Sequence, residues 1–511
     1  MAEVDQKGVA DDPVRPDRAE AQMSQGSPAT RVFFHTVRDH MRTTLSGLSP
    51  DEPLRDLVGV MSTRKLSAVV LADSEGAPRG IVTEQDVVRR IAFRADARQR
   101  ASDIMSYPLR TVAESDPLYV ALARMRRFGH RHLPVVDRDG KLSGVLDLHQ
   151  VMATAASDLV ARVDSFAYER TRDGLRETKA AQTDLAAELL EEGVKAPEIQ
   201  ALLTHMNRGL HQDLLALNAA EMESEGMGAA PLPFCMVIMG SGGRGENYLS
   251  PDQDYGFIIA DADAGEVESA DPWFVELATR LSRDLDAAGL PFCNGDVMAT
   301  NPLWRQTLSG WKAQVDKWIA ATTNQAFLDF DIFFDFQPAS GEVSLGRELR
   351  GYVTRLMDHN ETFLRRLFAA DRDHGTALRS FGRWATSGDA GPNKGKMDLK
   401  IHGTFPLVQG IRLLSLREGV TATSTLERME SLRSIDMLSA ADHEDLTAAY
   451  VYLSNLIFSR QVAEAQAGGS PSYHIHPKSL SRRVRRQLRE ALKTVEGLLT
   501  RIRFEFGGEL Y

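Results

Sequence analysis

Cysteine is almost absent from this chain: Cys235 and Cys293 are the only two in 511 residues. Two thiols cannot build a disulfide framework, which points to a reducing, cytoplasmic setting. Long apolar runs are missing too, and none approaches the roughly 18–20 residues of a membrane span. The first thirty residues are charged and polar and hold no apolar core of a secretory signal. Positive charge is in deficit, with 60 Lys and Arg against 71 Asp and Glu, a net charge of −11. That balance argues against a protein that coats DNA or another polyanion and leaves room for a small basic pocket. What remains is ordinary globular usage, 43% apolar and 26% charged. Disordered and fibrous classes are excluded, and the length predicts about three or four domains.

Residues 1–30, rich in Asp, Pro, Ser and Gln, read as a mobile tail. Beyond it lies an internal repeat at a constant offset of 64 residues. Asp39 and Met41 recur as Asp103 and Met105, Pro53-Leu54 as Pro117-Leu118, Met61 as Met125, Asp73 as Asp137, Gly76 as Gly140 and Gly80 as Gly144. So many turn and core positions at one spacing imply a tandem duplication. Each copy runs helix, short apolar strand (LSAVVLAD; HLPVVD), D-x-x-G turn, second strand (GIVTEQD; GVLDLHQ) and helix. The order predicts a small α/β module packed against its twin.

This stretch resembles a tandem CBS pair over residues 31–156, with copies at about 31–92 and 95–156. The resemblance implies that a hydroxyl and a carboxylate contact the ribose of an adenine nucleotide (AMP, ADP or ATP), here Thr83 and Asp86. It also implies a homodimer formed through these modules. Copy two carries Asp147 in place of the hydroxyl and Gln150 in place of the carboxylate, and the extra charge would repel phosphate. A folded spacer or dimerisation unit without ligand is the alternative.

Residues 157–225 have apolar positions every three to four residues with charges between, as in a helical connector packed on one face. His205 and His211 fall here and are assigned no role. The passage with most chemistry is FCMVIMGSGGRGENYLSPDQDYGFIIA, residues 234–260. An apolar strand runs into Gly240-Ser241-Gly242-Gly243-Arg244-Gly245, and Asp252 and Asp254 open a second apolar strand. Small residues after a strand let backbone N–H groups approach phosphate oxygens, and Arg244 adds positive charge. Carboxylates two apart on an extended chain share one face, as Mg²⁺ or Mn²⁺ bridging to a triphosphate requires. The chain has no Walker A loop. Gly240, Gly242 and Gly245 have dinucleotide-fingerprint spacing, but no helix is expected after them. The plain alternative is a glycine-rich hairpin with solvated acids.

Strand, Gly-Ser, D-x-D and second strand together resemble the polymerase-β-type nucleotidyltransferase superfamily, in particular the catalytic part of PII uridylyltransferase. The resemblance implies that Gly240 and Ser241, with Arg244 and Gly245, hold the triphosphate, and that Asp252 and Asp254 ligate metal with a third carboxylate. Asp296, expected on the strand after one helix, ranks first for that role. Asp335 ranks second, in FLDFDIFFDFQP, where Asp329, Asp331 and Asp335 are read on one face of a strand.

From about residue 346 the pattern is helical to the end. Residues 387–407 form a cationic segment with Lys394, Lys396, Lys400 and His402, which would bind phosphate or an acceptor or else be a solvated loop; Lys396 and Lys400 are the candidates. A Thr/Ser turn after IRLLSLREG is expected to cap the next helix. His474 and His476 lack a Cys or carboxylate partner for zinc. The whole resembles a bacterial family of signal-transduction nucleotidyltransferases with an all-α substrate-binding domain. The fold expected is multidomain: the CBS (Bateman) pair, a nucleotidyltransferase domain over 226–345 and a helical domain over 346–511. Gln337 stands where that family usually shows Arg. The resemblance implies transfer of a nucleoside monophosphate from a nucleoside triphosphate to a protein (PII-like) or small acceptor, under adenine-nucleotide control. A non-catalytic nucleotide-sensing regulator is the competing class.

Overall fold

The computed structural model describes residues 35–43, 48–91, 99–128, 130–148, 151, 171–321, 323–357, 360–370, 375–379, 383–387 and 393–507. The expected tail over 1–30, Gln150 and the start of the connector lie outside the described residues. Two compact units are present, divided near residue 168. No helix among the described residues is long and apolar enough to cross a membrane.

In the first unit the duplication extends to individual hydrogen bonds. Helix α1 (Leu54–Arg64) precedes a hairpin of β1 (Ala68–Ala72) and β2 (Pro78–Thr83), followed by α2 (Glu84–Ile91). Copy two repeats this as α3 (Leu118–Arg127), β3 (His132–Val136) and β4 (Leu142–Asp147). Val69 pairs with Val82 and Leu133 with Leu146, and both hairpins shift register two residues further along, at Leu71/Ala72 and Val135/Val136. The Asp73 carboxylate accepts from the N–H of Glu75 and Ala77, and that of Asp137 from Asp139 and Lys141. Each opening segment joins the hairpin of the other copy. Arg42 pairs with Val145, and Ser106 bridges Ile81. Met41 lies against Gly144 and Met105 against Gly80.

The second unit is built on a four-stranded sheet. Helices α4 (Arg172–Glu191) and α5 (Ala196–Met222) lead into β5 (Phe234–Ile238), one turn of helix α6 (Gly240–Arg244) and β6 (Tyr255–Ile259). Long helix α7 (Ala264–Ala288) precedes β7 (Arg305–Thr307), α8 (Leu308–Ala320), α9 (Asn324–Phe334), β8 (Gln337–Gly341) and α10 (Val343–Met357). The sheet order is β8-β5-β6-β7, antiparallel except for the parallel pair β6–β7. The fully buried run Tyr255–Ile259 explains why β6 is central. Leu210, Leu214 and Met222 of α5 share a core with Met236, Phe257 and Phe274, so this helix of the connector packs into this unit. Helices α11 (Phe405–Arg417), α12 (Thr425–Ser434), α13 (Ala440–Gln466) and α14 (Arg482–Gly507) follow. Ser424 caps α12 by accepting from the Glu427 N–H, as the Thr/Ser turn predicts.

Two local expectations fail. Residues 324–334 are helical, not extended. Thr323 caps the first turn, and Phe327, Phe330, Phe333 and Phe334 recur at helical spacing on the buried side, which outweighs the alternation of the acids. A helical turn also follows Gly240, where none is expected. It fits because Gly243 packs its Cα on other backbone: a Cβ there would sit 1.9 Å from the Asp335 carbonyl oxygen and 3.0 Å from that of Ile238. Neither neighbour can move aside. Gly243→Ala should therefore cost the second unit about 2–4 kcal/mol in denaturant unfolding. Gly265→Ala, in helix α7 where a Cβ meets nothing within 4 Å, should leave the midpoint no lower.

Candidate functional site

The turn after β5 and the start of β6 are brought together by backbone. Met239 N–H donates to the Asp254 carbonyl at 2.8 Å. Gly240 has φ +56°, and a Cβ on it would lie 2.4 Å from Asp254 Oδ2, so only glycine lets the turn rest on that carboxylate. The N–H groups of the first α6 residues, Gly240 to Gly242, have no side-chain cap. Ser241 Oγ donates to Asn247 Oδ1 at 3.1 Å. Gly245 closes the turn in left-handed conformation.

Asp252 is exposed and Asp254 part-buried, and an oxygen of each lies within 4.8 Å of the other and of Cys293 Sγ. Burial, followed by the neighbouring Asp252 charge, pushes Asp254 up to about 7. Lys400 opposes that rise, so the cationic segment reaches Asp254 electrostatically through this residue. The Lys400 ammonium lies 4.6 Å from the centre of the Tyr473 ring. Lys396 sits in the preceding turn, where its N–H donates to Asn393. Two carboxylates crowded into a part-buried site carry a cost that a divalent cation would relieve. The donor set fits one, held by Asp252 and Asp254.

The other expected acids are elsewhere. Asp296 lies in a loop, not on a strand, with φ +55° and an exposed side chain that accepts from Asn301 Nδ2 at 3.1 Å. It is not among the clustered donors. Asp335 is fully buried and paired with three guanidiniums: Arg244 at 2.9 Å, Arg412 at 2.9 Å and Arg428 at 2.6 Å. Its oxygens are committed, which corrects the reading of Asp335 as a metal ligand. Arg244 is correspondingly committed to Glu246 and Asp335 rather than projecting toward a phosphate. Asp331 pairs with Arg412, and Asp329 accepts from Gln325. Gln337 accepts from Arg208, so an arginine there would face like charge. His211 is buried and bonded to the Asn207 carbonyl, while His474 faces Asp398 at 3.8 Å.

In the first unit, Thr83 Oγ1 donates to Asp86 Oδ2 at 2.7 Å and the Thr83 N–H to the same oxygen at 2.9 Å. Both residues line a cavity of about 510 Å³ with Ser106, Arg110, His130 and His132. Asp147 is paired with His132 at 3.3 Å.

Comparison with known families assigns the segments. "CBS domain" matches residues 37–93 and 101–156, "Putative nucleotidyltransferase DUF294" matches 180–325, and "Putative nucleotidyltransferase substrate binding domain" matches 361–506. The chain belongs to the DUF294 family, with paired CBS domains. Among curated relatives, uncharacterized protein MK0525 of Methanopyrus kandleri is 32% identical over 113 residues, 22% of this chain and 57% of that protein. Inosine-5'-monophosphate dehydrogenase of Mycobacterium leprae is 29% identical over 22% of this chain and 21% of its own length. The chain thus spans less than two thirds of these relatives. Among solved structures, the CBS domain protein PAE2072 from Pyrobaculum aerophilum, complexed with AMP, is 25% identical, with TM-score 0.23 over 25% of this chain and 98% of that one.

Sequence reasoning on the DUF294 segment passes over Cys293, whose signal is its place three residues before Asp296 in LPFCNGD. It also misses Arg412 and Arg428, which look like ordinary helix-surface charges until their buried acid is seen. The two acids make opposite predictions. The native pKa of Asp254 lies above its unfolded value of 3.8, so its favourable contribution exists at acid pH and is lost as pH rises through about 7. Asp254→Asn should therefore stabilise the metal-free protein by about 1–3 kcal/mol at pH 8, the difference vanishing toward pH 4. Asp335→Ala should cost about 3–5 kcal/mol by leaving buried guanidiniums unpaired. Chemical denaturation across pH measures both.

Proposed function

We propose that this protein is a divalent-cation-dependent nucleotidyltransferase of the PII-uridylyltransferase-like type. It transfers a nucleoside monophosphate to a protein or small acceptor, with adenine-nucleotide binding at the CBS pair as control. The carrying observation is the packing of Gly240 on Asp254, which puts the uncapped N–H groups of the turn beside the carboxylate pair. The N–H groups of Gly240 to Gly242 hold triphosphate oxygens, and Asp252 and Asp254 would hold the cation. When bound, the cation supplies neutralisation of the triphosphate and a more acidic acceptor hydroxyl. The acceptor oxygen bonds to the α-phosphorus, the α–β bridging bond breaks, and pyrophosphate leaves as the hydroxyl proton is lost. Lys400 adds positive charge near Asp254.

Thr83 and Asp86 are assigned to the ribose of an adenine nucleotide, with Arg110, His130 and His132 lining the same cavity. Copies of the chain pairing through the CBS modules, in a cytoplasmic setting, complete the reading. One observation favours the non-catalytic sensor instead: among the described residues no third carboxylate joins Asp252 and Asp254.

Incubation with each labelled nucleoside triphosphate and a divalent cation decides between them. Pyrophosphate release that falls to background in the Asp252→Asn, Asp254→Asn protein is the expected result. Saturable nucleotide binding without pyrophosphate would establish the sensor. For the CBS site, Thr83→Ala with Asp86→Ala should abolish the heat of AMP, ADP and ATP binding at that cavity in calorimetry. Undiminished heat in that variant refutes the assignment.

A further inference from the structure

Asp252 and Asp254 meet one more donor. Cys293 Sγ and an oxygen of each acid lie within 4.8 Å of one another, and among the described residues this is the one such grouping of three His, Cys, Asp or Glu side chains. Its placement is fixed from both sides. Gln253 N–H donates to the Pro291 carbonyl at 3.0 Å, and Tyr255 N–H donates to that of Val297 at 3.1 Å. The residues flanking Asp254 therefore clamp the loop on either side of Cys293. The fully buried Gln253 amide also donates to the carbonyls of Ser282 and Leu290, at the base of that loop. The Asp296 N–H donates to the Cys293 carbonyl and closes the turn.

Mg²⁺ takes oxygen donors, whereas a thiolate is a soft ligand that Zn²⁺ accepts readily. We propose that Asp252, Asp254 and Cys293 form a mixed oxygen–sulfur site for a thiophilic divalent cation of the Zn²⁺ type. Cys293 is the third protein ligand where a third carboxylate would serve Mg²⁺. Binding releases the thiol proton to solvent. The inference rests on the transferase reading for the role of the acid pair and adds the chemistry of the cation. The plainer role for Cys293 is as a small apolar side chain at the edge of the core, where it also packs. In that role a serine would leave cation affinity unchanged.

The full chain, stripped of metal and titrated with Co²⁺, should develop a sulfur-to-cobalt absorption in the near ultraviolet that Cys293→Ser lacks. Zn²⁺ affinity, measured by competition with a chromophoric chelator, should fall at least about tenfold in that variant. Mg²⁺ affinity should stay within about threefold. Without any substitution, Zn²⁺ should protect Cys293 of the wild-type chain from alkylation; Cys235, the other thiol, is buried in β5. Absence of the sulfur band, equal Zn²⁺ affinity or unprotected Cys293 overturns the proposal. Asp252→Asn with Asp254→Asn separates the two readings. If that protein loses cation binding while Cys293→Ser keeps the wild-type Zn²⁺ affinity, the acid-pair reading stands and the mixed site falls. A wild-type chain that binds neither Mg²⁺ nor Zn²⁺ refutes both.

Discussion

Asp335 has no access to water, and three guanidiniums converge on it from three separate parts of the chain: Arg244 in the turn after β5, Arg412 in α11 and Arg428 in α12. Buried charge on this scale is tolerated only when every partner is present, because each removed partner leaves an uncompensated ion in a low-dielectric interior. Glu246 extends the arrangement, pairing with Arg244 and accepting from the Thr425 N–H at the start of α12. The turn that carries Gly240 and Ser241 is thereby tied to helices more than a hundred residues further along. The glycine turn and the helical segment behave as one piece of structure, and the site inherits its rigidity from the ions behind it.

The carboxylate pair uses the opposite arrangement. Asp252, exposed, and Asp254, part-buried, are crowded and pair with no guanidinium among the contacts described; Lys400 and Arg244 supply charge to Asp254 without a salt bridge to it. One acid cluster in this unit is neutralised by the protein and the other is left for something outside it. That contrast between neighbouring groups of the same chemical type marks a binding site more firmly than either cluster would alone.

Much of this was legible in the residues. The repeat spacing foretold two like hairpins, and strand, Gly-Ser turn and D-x-D foretold the end of the sheet where the turn meets the acids. What failed did so for identifiable reasons. Acids at 329, 331 and 335 alternate like a strand, but the phenylalanines at 327, 330 and 333 keep helical time, and the larger apolar area decided. Asp335 could not be told from a metal ligand because its arginines lie far off in sequence. Cys293 was invisible because its meaning depends on two backbone hydrogen bonds that no local pattern encodes.

The exchange of opening segments in the first unit carries a consequence of its own. Met41 fills the space above Gly144 while Met105 fills that above Gly80, so each half seals the apolar seam of its twin. Each half therefore draws part of its strand pairing and apolar cover from its twin. A chain cut to one copy would expose its glycine strand and leave its methionine without the surface it covers.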